Sequence, residues 1–179
     1  MKVLIVTDMQ NDFITGSLGS DQAVAIVPAV ISKINEYREN GDMIVFTQDT
    51  HGTNYRQTQE GRNLPVEHCI NGTWGWEICD EIKALMDDED LVVCKNTFGA
   101  TDLGSDIEYE LCYGEDLDEI ELCGLCTGIC VLSNGVILKS EFPELPCTVD
   151  VNATACVSVE SKANALNVMR LLQFNIIGE

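Results

Sequence analysis

The stretch Lys2-Val3-Leu4-Ile5-Val6-Thr7-Asp8 decides how the chain reads. Four consecutive apolar residues are too few for an export signal or a membrane span. A run this short, closed at once by an acid, predicts a strand buried on both faces. Comparable runs follow at 43–47, 91–94, 119–123 and 147–151, with a weaker one at 175–177. Helical periodicity fills the intervals. Val27, Val30, Ile31, Ile34 and Tyr37 share one helical face, Pro28 suits a first turn, and Asn40-Gly41 is a stop signal. Further helices are predicted over 77–86, within 101–111, from beyond Gly128 to before Pro143, and over about 160–172. The last should bury Ala163, Leu166, Met169 and Leu172 or their neighbours. Strands alternating with helices predict an α/β fold of three αβα layers around a mostly parallel sheet. With no repeat or linker in view, residues 1–179 are expected to form a single domain.

The net charge of −20 excludes nucleic acids and anionic membranes as partners, since both require clustered Lys and Arg. It reads as a solvated acidic surface, and Met86-Asp87-Asp88-Glu89-Asp90 as an exposed turn. Nine cysteines would suggest disulfides in a short secreted chain. Their odd number, the chain's length and the lack of an export signal point instead to reduced thiols and a cytoplasmic protein, most of the thiols being small core residues.

In parallel α/β folds, sites form where strands end at their carboxyl edge. Asp8 follows the first strand, Lys95 the third, and Cys130 the fourth, in Cys123-Gly124-Leu125-Cys126-Thr127-Gly128-Ile129-Cys130-Val131. An ammonium and a helix N-terminus both favour a thiolate nucleophile, and a carboxylate can carry its proton to a leaving amine. Together the three suit attack on an amide carbonyl. Taken singly, each has a plainer role: a turn cap, a strand-end charge, a core thiol.

A second polar group follows the second strand: Asp49 and His51, then Glu60, then His68. Two imidazoles and a carboxylate suit zinc, iron or manganese and leave positions open, with Glu60 as a fourth ligand. The plainer alternative is a pair of loop histidines among surface acids. A competing set, Cys123, Cys126 and Cys130, has metal-like spacing but straddles a strand–helix junction and has no adjoining fourth ligand.

Five segments in order, Asp8-Met9-Gln10-Asn11-Asp12-Phe13, Thr47-Gln48-Asp49-Thr50-His51, Leu64-Pro65-Val66-Glu67-His68-Cys69-Ile70-Asn71-Gly72-Thr73, Lys95-Asn96-Thr97-Phe98 and the cysteine segment from Gly124 to Val131, carry a resemblance over nearly the whole chain. The chain resembles the isochorismatase-like cysteine hydrolase superfamily, and within it the nicotinamidases (pyrazinamidases). The resemblance implies an isochorismatase-like, Rossmann-like fold and a triad of Asp8, Lys95 and Cys130. It also implies a cis peptide at Leu125–Cys126, which aims the backbone N–H groups of Cys126 and Cys130 at the developing oxyanion. The metal site maps onto Asp49, His51 and His68, with Glu60 matching a glutamate of some bacterial members. The bound ion, zinc first, with iron and manganese as alternatives, would orient nicotinamide for hydrolysis to nicotinate and ammonia through a thioester. A homo-oligomer and a role in pyridine nucleotide salvage are implied too. Leu64 stands where many nicotinamidases carry a ring-sandwiching tryptophan. Phe13, with Phe98 or Tyr55, would then cover the substrate ring. Trp74 and Trp76 are expected in packing or at a subunit interface. Two alternatives keep the scaffold: a cysteine hydrolase of another small amide, carbamoyl or ureido compound, and an acidic protein that binds metal or thiols without catalysis.

Overall fold

Alternate residues of the first strand, β1 (Lys2–Thr7), feed opposite faces of a sheet. Leu4 and Val6 join one apolar cluster, while Val3 and Ile5 join the other. The computed structural model describes residues 1–110 and 116–179. Strands β2 (Met43–Asp49), β3 (Leu91–Lys95), β4 (Glu119–Leu125), β5 (Cys147–Ala155) and β6 (Asn175–Ile177) complete a six-stranded sheet in the order β3-β2-β1-β4-β5-β6. Every neighbouring pair is parallel.

The helices, in chain order, are α1 (Asn11–Ile14), α2 (Asp21–Asn40), α3 (Gln59–Asn63), α4 (Asp80–Lys83), α5 (Leu103–Glu110), α6 (Leu132–Glu141) and α7 (Val159–Leu171). Helix α2 packs Ala23, Ile26, Val30, Ile34 and Tyr37 onto the face that carries Leu4 and Phe46. Helices α5, α6 and α7 cover the other face through Leu103, Ile107, Leu138, Leu166 and Met169. The three-layer αβα expectation therefore matches the fold. Among the described residues, no helix is long and apolar enough to cross a membrane.

Several boundaries differ from the sequence reading for identifiable reasons. Helix α2 starts well before Pro28, because the Ser20 hydroxyl accepts the Ala23 N–H as an N-cap. Pro28 thus lies inside the helix, and the proline's missing donor frees the carbonyl of Val24, a residue on the solvent face. The helix expected over 77–86 shrinks to the single turn of α4. Ile78 instead forms an antiparallel bridge with Gln10, and the Cys79 N–H donates to Met9 O at 2.9 Å. In α7 the buried residues are Ala165, Leu166 and Met169, while Ala163 and Leu172 are exposed. Leu111, at the end of the expected third helix, lies outside the described residues. The acidic turn is fastened from α2: Arg38 makes 2.7 Å hydrogen bonds to both carboxylate oxygens of Asp90 and lies 2.8 Å from Asp87.

After β3 the chain crosses the sheet and re-enters at β4, on the other side of β1. That reversal opens a crevice beyond the carboxyl ends of β1 and β4, the place where such sheets bind ligands. Phe46, in β2, is a nearly fully buried aromatic of the α2-covered face. Phe46→Ala should cost ~3–5 kcal/mol, read as a lowered urea midpoint with an unchanged slope.

Candidate active site and metal centre

The strand ends deliver three groups to this crevice. Asp8 turns sharply out of β1 at φ 49° and is fully buried. The Thr47 hydroxyl donates to Asp8 Oδ1 at 2.6 Å, and Lys95 Nζ lies 2.7 Å from Oδ2. Lys95 is set at the end of β3 by its pairing with Asp49. Cys130 lies in a wide helical turn, Thr127–Val131, that leads into α6, with its Sγ 3.6 Å from Lys95 Nζ. The peptide Leu125–Cys126 is cis. The structure brings Asp8, Lys95 and Cys130 together.

Burial dominates the electrostatics. It pushes the Asp8 carboxyl up against the opposing pull of Lys95. Burial also drives the Cys130 thiol well above its ordinary value, reinforced by the negative charge of Asp8 and only partly offset by Lys95. Lys95, although burial acts against its charge, is held protonated chiefly by Asp8. The sequence reading expected a thiolate favoured by Lys95 and a helix terminus. In the fold burial and Asp8 favour the thiol over the thiolate against the opposing effect of Lys95, and α6 begins only after Cys130.

Beside this triad, the ligand atoms of Asp49, His51 and His68 lie within 4.8 Å of one another, all three residues buried. Asp49 Oδ2 is 3.0 Å from His51 Nε2 and 3.5 Å from His68 Nε2. His68 Nδ1 lies 2.9 Å from Val66 O, and since a carbonyl only accepts, that nitrogen carries a proton and Nε2 is the ring nitrogen that faces Asp49. His51 Nε2 is buried without a hydrogen-bond partner. An orphaned imidazole nitrogen facing a carboxylate and a second imidazole fits a divalent cation. Glu60 stands at the edge of this set, its Oε1 3.7 Å from His51 Nε2 and 3.6 Å from His68 Nε2. Among the described residues, no metal-ligand cluster includes Cys123, Cys126 and Cys130, and the eight described cysteines are all free.

A cavity of about 310 Å³ opens onto Cys130, Cys126, His68 and Glu60, with Phe13, Leu64 and Phe98 on its walls. That volume is at the small end of ligand pockets, ~300–1,000 Å³. Tyr55 does not line it. This residue is fully buried, its ring 4.8 Å from His51 and 5.0 Å from His68, and its hydroxyl donates to Leu64 O. Tyr55 therefore supports the histidines from behind instead of covering a substrate. Trp76 packs inward, its indole N–H donating to Thr50 Oγ1, whereas Trp74 is largely exposed.

Sequence reasoning missed the residues that hold these groups in place. The Gln10 amide clamps the Asp49 backbone, accepting from its N–H and donating to its carbonyl, both at 2.8 Å. Asp12 Oδ2 accepts the N–H of Cys69 at 2.8 Å, fixing the turn just after His68. Both lie in the same opening segment as Asp8, two and four residues on, a polar spacing that could have marked them.

A buried thiol, carboxylate and ammonium thus lie beside a cation-ready cluster at the switch point of a parallel sheet. The isochorismatase domain family matches residues 2–178, so the chain belongs to the isochorismatase family, as a hydrolase whose neighbours include nicotinamidases and pyrazinamidases. It is 29% identical over 142 residues to the uncharacterized isochorismatase family protein PncA of Bacillus subtilis (strain 168), covering 75% of this chain and 76% of that one. The crystal structure of a pyrazinamidase/nicotinamidase from Streptococcus mutans UA159 superposes with a TM-score of 0.84 at 28% identity, over 99% of this chain and 100% of that one. The pyrazinamidase of Pyrococcus horikoshii in complex with zinc shares the fold, with a TM-score of 0.82 at 24% identity and 99% of each chain covered.

His51→Ala should weaken zinc binding in calorimetry at least ~10–100-fold while the far-ultraviolet circular dichroism stays that of the parent. Equal zinc affinity in the variant would remove His51 from the set.

Proposed function

We propose that this chain is a metal-dependent cysteine amidase that hydrolyses nicotinamide to nicotinate and ammonia, with Asp8, Lys95 and Cys130 as its catalytic set. The observation that carries the reading is the convergence of these residues, Lys95 Nζ 2.7 Å from Asp8 and 3.6 Å from Cys130 Sγ, next to the Asp49, His51 and His68 cluster. The pyrazinamidase/nicotinamidase neighbour and the zinc-complexed pyrazinamidase support it.

In this reading Asp8 takes the Cys130 proton as Sγ attacks the carboxamide carbon. The backbone N–H groups of Cys126 and Cys130 receive the negative charge that develops on oxygen. Asp8 then returns the proton to the leaving nitrogen, the C–N bond breaks, and ammonia departs from a Cys130 thioester. Water, deprotonated by Asp8, attacks the thioester carbonyl; nicotinate leaves and the thiol recovers its proton. Lys95 favours the ionised form of Asp8 between these proton transfers. Asp49, His51 and His68 would hold the divalent metal, zinc first with iron and manganese as alternatives, and Glu60 would stand alongside as a fourth ligand. When bound, the ion supplies a Lewis acid for the pyridine nitrogen, which positions the ring. Phe13 lies 5.5 Å from the His68 ring and flanks the cavity with Leu64 and Phe98.

A second reading retains the chemistry and changes the substrate to another small amide, carbamoyl amine or ureido compound. Partly exposed Leu64, where many nicotinamidases carry tryptophan, favours it by leaving the rim less enclosed. A cytoplasmic single-domain homo-oligomer in pyridine nucleotide salvage completes the proposal.

Ammonia release from a panel of small amides, with and without a chelator, separates the readings. Nicotinamide should lead the panel, and the chelated protein should be inactive until zinc, iron or manganese is restored. Cys130→Ala should abolish turnover while zinc binds as before; undiminished activity would eliminate the nucleophile. Asp8 must be ionised to accept the thiol proton, and burial raises it despite Lys95, with Asp49 and Cys130 the other titratable groups facing it. As pH falls, kcat/KM should therefore drop through a midpoint above the ordinary carboxylate value of ~3.9. A midpoint at or below that value would contradict Asp8 as the base.

A further inference from the structure

We infer that Thr154 is a positioning residue for the nucleophile loop, acting through a buried hydroxyl chain that a bulge in β5 sets against Gly124 and Thr127. The inference rests on the amidase reading above and adds the device that holds its oxyanion donors.

The pairing of β4 with β5 is regular as far as Leu122 and Val149, then resumes with Gly124 opposite Thr154. A regular parallel ladder would have put Val151 there. The extra residues of β5 form a bulge, a device that re-aims side chains beside functional sites. Its effect is to replace a hydrocarbon side chain with a hydroxyl. Lys162, from α7, pins both sides of the bulge, donating to Val151 O at 2.5 Å and Thr154 O at 2.7 Å.

Thr154 Oγ1 donates to Gly124 O at 2.8 Å. That bond uses its single proton, so the Thr127 hydroxyl, 2.9 Å away, is the donor to Thr154. Both threonines are fully buried. Gly124 is also pressed against β1: its φ is +99°, and a Cβ there would lie 2.2 Å from Thr7 O. Gly124 and Thr127 bracket Leu125-Cys126, whose N–H is one proposed oxyanion donor, and Thr127 opens the turn that carries Cys130. One hydroxyl therefore bonds to both ends of the bracket. Valine at 154 would keep the shape and remove the hydroxyl that bonds to Gly124 O and to Thr127, in a place where water does not reach.

The test compares Thr154→Val with Thr154→Ser in the metal-loaded full chain. Thr154→Val should lose ~10–100-fold in kcat on nicotinamide with KM within about twofold, because small misplacements of reacting groups cost rate. Thr154→Ser, which keeps the hydroxyl, should stay within about threefold of the parent. Alkylation of Cys130 by iodoacetamide, followed by peptide mapping, forms a C–S bond, expels iodide and needs no oxyanion donor. Its rate should be unchanged in both variants. Amide hydrogen exchange over 125–130 should quicken in Thr154→Val alone. Parent-like kcat in Thr154→Val, equal losses in both variants, or Cys130 alkylation slowing in step with kcat would each overturn the inference. If Thr154→Val does not fold, Thr127→Val, which leaves the Thr154–Gly124 bond in place, should reproduce the pattern more weakly; parent-like kcat there overturns it. A parent protein silent on every amide, yet showing the exchange pattern, would reject the amidase reading while keeping the loop device. Unchanged exchange in Thr154→Val would reject the device even in an active enzyme.

Discussion

Asp8 and Lys95 are buried together at the carboxyl edge of the sheet, where neither could stay charged alone. Their 2.7 Å contact replaces the water each has lost, and the Thr47 hydroxyl completes the shell of the carboxylate. The pair holds only because β1, β2 and β3 are in the register that brings Thr7 opposite Thr47 and Asp49 opposite Lys95. Asp49 extends the network, one carboxylate oxygen 3.5 Å from Lys95 and the other facing both histidines. The Asp8–Lys95 pair and the cluster of Asp49, His51 and His68 are thus one electrostatic unit, and Cys130 sits against its cationic member.

The strands were legible because each is a short apolar run buried on both faces, and all six starts coincide with the expected ones. Strand ends were less legible. Gln48 and Asp49 in β2, and the residues from Asn152 to Ala155 in β5, extend their strands by pairing with neighbours, so polarity misled there. The segment at 77–79 shows the opposite effect: its helical pattern yielded to hydrogen bonds with Met9 and Gln10, partners far away in sequence. Propensity is a weak prior against such tertiary pairing.

At the site, the residues that meet the proposed chemistry stood out because strand ends place them and because acids, histidines and thiols are recognisable as types. Their supports were hidden. Gln10, Asp12 and Thr154 act by bonding to backbone groups distant in sequence, and Thr127 by bonding to the Thr154 hydroxyl, and nothing in their own neighbourhoods announces which groups those will be. Tyr55 was misread for the same reason. With Leu64 in place of a tryptophan, Tyr55 reads as a cover for the substrate ring, yet its ring fills the space behind the two histidines.

The central position of β1 also bears on how the chain is made. Its inner edge pairs Lys2 with Glu119, so a strand of Val3, Leu4, Ile5 and Val6 leaves the ribosome long before its partner exists. Until β4 emerges, half of that ladder stays open, and pairing this remote in sequence forms slowly. Synthesis therefore passes through a stage in which this edge of β1 has no partner, the kind of edge that invites wrong pairing.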